Sequence, residues 1–171
     1  MKNKRPAAND YAPFYEPYVS KIESDDILST LENTLEENLA FLKAIPAEKW
    51  DFSYADGKWT IKEILVHLLD AERIFASRAI RIARHDRTPL PGFDQDAYAP
   101  YMEANSRSID SILEEYEAVR KSTITLYRNF NDKMWFRHGL ASGTSVTTLA
   151  LAYIIAGHEA HHFKVMRERY L

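Results

Sequence analysis

Four long stretches in which apolar residues return every three to four positions constrain this chain more than anything else in it, because that period belongs to helices. Five glycines and seven prolines are available to interrupt them, and the prolines fall between the periodic runs. A first helix is predicted from about Asp25 to Ala44, with Ile27, Leu28, Leu31, Leu35, Leu39 and Leu42 on one stripe and Pro46 closing it. Thr60-Ile61-Lys62-Glu63 has the form of a capping box, so a second helix opens there and reaches about Arg84. A third runs from about Ser108 to Phe130 and a fourth from near Ser145 to the C-terminus. Four helices of similar length most economically form an all-α four-helix bundle, here one domain over residues 1–171 that includes an extended, tyrosine-rich arm at 1–23. Pro89, Pro91, Gly92 and Pro100 forbid a continuous helix in the stretch from His85 to Tyr101 between the second and third helices. That long loop is expected to act as a lid and to carry substrate specificity through Phe93, Asp94, Asp96 and Tyr98.

Composition narrows the choice of partner. With a net charge of -3 the chain has no basic excess for neutralising phosphates or an anionic bilayer, so a small molecule is expected rather than nucleic acid or a membrane. No stretch approaches the roughly 18 apolar residues of a membrane span, and no apolar run follows the charged Met1-Lys-Asn-Lys-Arg-Pro start. A soluble cytoplasmic protein is the expectation. There is no cysteine, so any thiol chemistry would need a thiol brought from outside.

The chemistry-bearing residues are histidines. On a helical wheel of the fourth helix, His158 and His162 fall within about 20° of Leu151, in the middle of the apolar stripe, and one turn apart. His161 sits about 80° away at the edge of that stripe, outside the ligand set. On the second helix His67 lies just inside the apolar side, flanked by Ile64, Ala71 and Ile74, which aims its ring between helices. Two histidines four apart on one helix, met by a third from elsewhere, are what a three-histidine metal site with an open position requires. Glu72, in the middle of the apolar arc, should have a buried partner. His158-Glu159-x-x-His162 also fits the zinc-protease pattern, but the residues after His162 offer no further histidine, and a protease is not expected. Glu159 remains a candidate base or supporting group, and a supporting role is open for Asp70 and Glu72.

Gly57-Lys-Trp-Thr-Ile-Lys-Glu-Ile-Leu-Val-His67-Leu-Leu-Asp-Ala-Glu-Arg and Ile154-Ile-Ala-Gly-His158-Glu-Ala-His-His162-Phe carry a resemblance to the DinB-like (DinB/YfiT) superfamily of bacterial four-helix-bundle proteins, and it spans nearly the whole chain. The resemblance implies a divalent ion, with zinc and nickel leading, held by His67, His158 and His162. It also implies a homodimer. Members resemble metal-dependent hydrolases, or transfer low-molecular-weight thiols such as bacillithiol or mycothiol to electrophiles, or isomerise maleylpyruvate with such a thiol. The expectation is metal-dependent thiol transfer, with hydrolysis by metal-activated water and a non-catalytic, stress-related metal-binding role as alternatives.

Overall fold

Each long helix begins where a side chain takes over an amide that the helix cannot satisfy. Asp26, Ser108 and Thr147 accept from the backbone N–H three residues on, and Thr60 does so within a complete capping box closed by Glu63. The computed structural model describes residues 4–171. Its helices are α1 (Glu16–Val19), α2 (Ile27–Lys43), α3 (Ile61–Ala83), α4 (Gln95–Tyr98), α5 (Ile109–Arg128), α6 (Asp132–Trp135) and α7 (Thr148–Arg169), with β1 (His138–Ala141) and β2 (Thr144–Thr147) between α6 and α7.

The bundle is made by α2, α3, α5 and α7. Around it α3 packs on α5 and α7, and α2 packs on the same two, so α2 and α3 lie across one diagonal and α5 and α7 across the other. Helices consecutive in the bundle are therefore not always neighbours, and residues 44–60 must cross the end of the bundle. Trp50, 1% exposed, plugs that crossing.

Two expectations need correction. The fourth helix starts at Thr148 rather than near Ser145, because residues 138–147 form an antiparallel hairpin turned by Ser142 (φ 52°) and Gly143 (φ 78°), the positive-φ pair of a tight I′ turn. Leu90 bonds to this hairpin through its own N–H to Leu140 O (2.8 Å) and through its carbonyl to Ser142 N–H (3.0 Å), which ties down the loop between α3 and α5. The N-terminal arm, whose residues 1–3 lie outside the described residues, is not simply extended: Pro13–Tyr15 and α1 make successive helical turns against α7.

The second correction explains why α7 is buried on every side from Thr148 to Glu159 instead of along one stripe. Neighbouring bundle helices cover two faces, and α1 covers a third. Gly157 makes that contact possible, because a Cβ there would coincide with the Tyr18 carbonyl. No helix among the described residues is long and apolar enough to cross a membrane. Gly157→Ala should push α1 off α7, cost about 1–3 kcal/mol and, at roughly 2–4 °C per kcal/mol, lower Tm by several degrees. A calorimetric scan showing no change in Tm would contradict this account of the arm.

Candidate metal centre

His67 comes from the second turn of α3, whose start is fixed by the Thr60 capping box, while His158 and His162 come from α7. Because α3 and α7 are direct neighbours, the three rings meet. His67 Nε2 and His162 Nε2 each stand 3.1 Å from His158 Nε2, and one nitrogen from each ring lies within 4.8 Å of the others. The rings are nearly perpendicular, with centroids 4.7–5.1 Å apart.

Hydrogen bonding alone does not explain this convergence. A neutral imidazole nitrogen carries either one proton or one lone pair, so His158 Nε2 can satisfy only one of its two neighbours. Three nitrogens set tetrahedrally around an ion at about 2.0–2.1 Å stand about 3.3 Å from one another, close to the spacing seen here. Burial keeps the rings neutral and able to bind metal: it lowers His67 from 6.5 to about 4, and His162 to about 3 with help from the charges of His67 and His161. His158 is pushed well below its ordinary value, first by burial and then by His162 and His67. The donor set therefore fits a divalent ion of borderline softness.

Aromatic rings frame the triad. Tyr18 sits edge-on to His158 and His161 at 5.2 and 5.5 Å, and Trp59 packs 4.9 Å from His67. Tyr170, at the end of α7, donates from its hydroxyl to Trp59 O (2.6 Å) and so holds that wall in place. A cavity of about 600 Å³ opens over the rings, lined by the arm, Phe75, Phe93, Gln95, Ser142 and Thr144 as well as all three histidines and His161. Among the described residues its lining holds no carboxylate, lysine, arginine or cysteine.

The loop expected to confer specificity contributes only in part. Phe93 lines the cavity, whereas Asp94 is spent capping α4, and neither Asp96 nor Tyr98 reaches the wall. Asp96 is near enough for its charge to oppose the lowering of His67.

Behind the triad lies a polar knot. Arg120 of α5, 1% exposed, donates from Nε and Nη2 to Glu72 (2.9 and 2.8 Å), from Nη1 and Nη2 to Glu159 (both 2.9 Å), and from Nη1 to Thr34 Oγ1 (3.3 Å). Tyr116 donates its hydroxyl to Glu159, and Asn38 Nδ2 donates to Tyr116 (3.3 Å). Burial disfavours the charge on Arg120, but Glu159 and Glu72 outweigh it and raise its pKa well above the usual value. Glu72 thus has the partner its position demanded. Glu159, by contrast, is withdrawn from any role as a base, since both its oxygens accept from this knot. Asp70 is set among Arg73, Glu115 and Arg107 and does not line the cavity. Arg120 was missed in the sequence although its signal was present: it continues the buried α5 series Ile112, Tyr116, Arg120, Ile124, a cation at apolar spacing.

The sequence profile of the DinB superfamily matches residues 30–166, and the chain belongs to that superfamily. It is 24% identical over 139 residues, covering 79% of this chain and 76% of the other, to a protein of Oceanobacillus iheyensis named as a candidate metal-dependent hydrolase. YfiT from Bacillus subtilis, described as a candidate metal-dependent hydrolase with an unusual four-helix-bundle topology, superposes with a TM-score of 0.69 at 19% identity, over 98% of this chain and 97% of that one. A mycothiol-dependent maleylpyruvate isomerase gives 0.68 at 11% identity, over 84% of this chain and 60% of that one. These superpositions show a shared fold.

Arg120→Met should strand two carboxylates in the interior and cost about 3–5 kcal/mol in urea unfolding, whereas replacing Glu72, Arg120 and Glu159 together by apolar residues should recover most of that loss. A single variant as stable as the parent would show that the knot carries no such strain.

Proposed function

We propose that this chain is a divalent-metal-dependent enzyme that transfers an external low-molecular-weight thiol to a small electrophile, with His67, His158 and His162 holding the ion. The observation that carries the reading is the convergence of three neutral imidazole nitrogens on one point beneath a deep cavity whose walls, among the described residues, supply no thiol and no carboxylate. A divalent ion bound there supplies the positive charge that favours the anionic form of a thiol placed beside it.

The chain's own residues do the rest. Neutral rings leave the ion's charge uncompensated. Tyr18, Trp59, Phe75 and Phe93 present apolar faces that keep bulk water from the reacting atoms and accept the hydrocarbon part of a substrate. In the transfer a sulfur–carbon bond forms as the bond from that carbon to its leaving group breaks, and the thiol's proton passes to solvent or to the displaced group.

Hydrolysis is the second reading, favoured by the names of the Oceanobacillus iheyensis relative and of YfiT. It is less well served by the site. A carboxylate base is the usual companion of a metal-activated water in proteases, and Glu159, the carboxylate nearest in sequence to the ligands, is engaged by Arg120 and Tyr116.

Protein stripped with chelator and reloaded with zinc, nickel or cobalt should take up one ion per chain, and His67→Ala should abolish uptake while leaving the helical circular dichroism intact. Metal-loaded protein given bacillithiol or mycothiol and a bimane electrophile should form the thioether at least about 100-fold faster than stripped protein, a barrier difference of about 3 kcal/mol. Thioether formation that survives complete metal removal would rule the proposal out.

A further inference from the structure

Among the described residues three cations are buried, and one of them lacks a counter-ion. Arg120 is gripped by two carboxylates and Lys62 pairs with Asp51 at 2.9 Å. Arg78, 4% exposed on α3, has only neutral partners: Nη2 donates to Pro91 O (2.7 Å) and to Ser142 Oγ (3.2 Å). Its guanidinium carbon lies 5.6 Å from the Phe75 ring and 5.8 Å from the Phe93 ring. Among the described residues the ion-paired arginines are Arg73, Arg81, Arg107, Arg120 and Arg128, and Arg78 is not one of them. A buried charge is ordinarily paired, because neutral dipoles replace its lost hydration only in part.

The location of Arg78 indicates what could complete the pair. It lines a recess of about 10 Å³, room for one oxygen-sized group, whose other walls include Ala12, Tyr15, Ala141 and Thr144. Those four residues also line the large cavity over the triad, so the recess adjoins it. Phe75 touches both the triad and Arg78: its ring is 6.4 Å from the His158 ring and 5.6 Å from the Arg78 guanidinium, so these cannot be more than about 12 Å apart. We infer that Arg78 recognises a carboxylate on the small molecule that enters this cavity, and thereby selects ligands bearing an acid group within about 12 Å of the atom they present to the histidines. One oxygen of such a carboxylate, seated in that recess, would accept a charge-assisted hydrogen bond from the guanidinium. Docking there would also reach Ser142 and Pro91, so the acid group would be sensed by both the hairpin and the loop between α3 and α5.

The inference deepens the thiol-transfer reading and can be tested apart from it. Metal-free protein is titrated calorimetrically with octanoate and with octanamide, which is of equal length but uncharged. Octanoate should bind at least about tenfold more tightly, the difference expected of a charge-assisted hydrogen bond. Arg78→Gln should erase that preference while leaving octanamide binding unchanged, and Arg78→Lys, which keeps the charge, should retain part of it. Absence of octanoate binding, equal binding of the two compounds, or a preference that persists in Arg78→Gln overturns the assignment. In parallel, cobalt-loaded protein is given 8-mercaptooctanoate and its methyl ester, and thiolate-to-cobalt absorption is recorded. If neither thiol produces that absorption yet the octanoate preference depends on Arg78, thiol transfer fails and the carboxylate site stands.

Discussion

Everything in the site depends on one guanidinium. Arg120 has five N–H donors, and the structure uses them all, on Glu72 of α3, Glu159 of α7 and Thr34 of α2, while Arg120 itself belongs to α5. A single side chain thus joins all four helices of the bundle. Apolar packing alone would let α3 slide against α7 at little cost, since one leucine-sized ridge fits much as the next does. The fork between Glu72 and Glu159 does not permit that, because its hydrogen bonds are directional and all three groups are buried. Glu159 is the immediate neighbour of His158, and Glu72 lies little more than one turn beyond His67. Fixing the carboxylates fixes the imidazoles.

The histidines lie on a boundary. On one side is the buried knot, where two carboxylates surround one guanidinium; on the other is a cavity walled by aromatic rings, with no carboxylate, lysine or arginine among the described residues that line it. Buried ion networks are weak contributors to net stability, and their best-attested use is to specify one arrangement among several. That suits a bundle whose consecutive helices α2 and α3 sit across a diagonal, since such a fold must exclude the simpler up-and-down order. The knot also leaves formal negative charge beside His158, a favourable surrounding for a cation held by neutral ligands.

Much of this was legible in the amino-acid sequence, for reasons that can be named. The four helices and the placing of His67, His158 and His162 on or beside apolar faces follow from periodicity, which reports what a helix does locally; the capping box at Thr60 follows from residue type, and the union of the three histidines in one set was implied by the family resemblance. Glu72 could be read as needing a partner, but which one could not be read, because Arg120 is 48 residues away and their meeting depends on how the helices are arranged around the axis. Glu159 was read as a candidate base or supporting group, and the sequence could not choose between the two for the same reason. The wheel gives the direction of its side chain from α7 but not the arginine waiting there. The hairpin at 138–147 was missed because β-branched Val146, Thr147 and Thr148 run straight into the helix that follows, so that Ser142-Gly143 was the only local mark of a turn. The helical turns of the N-terminal arm rest on its docking beside Gly157, a contact across the chain that no local pattern encodes.

X-ray absorption spectroscopy of the zinc-loaded protein tests the central claim most directly, because it counts the ligands of the ion itself. Three imidazole nitrogens at about 2.0–2.1 Å with an additional light-atom ligand, and one imidazole fewer when His67 is replaced by alanine, are the predicted result. A spectrum with fewer than three imidazoles, or one that does not change when His67 is replaced, would contradict it.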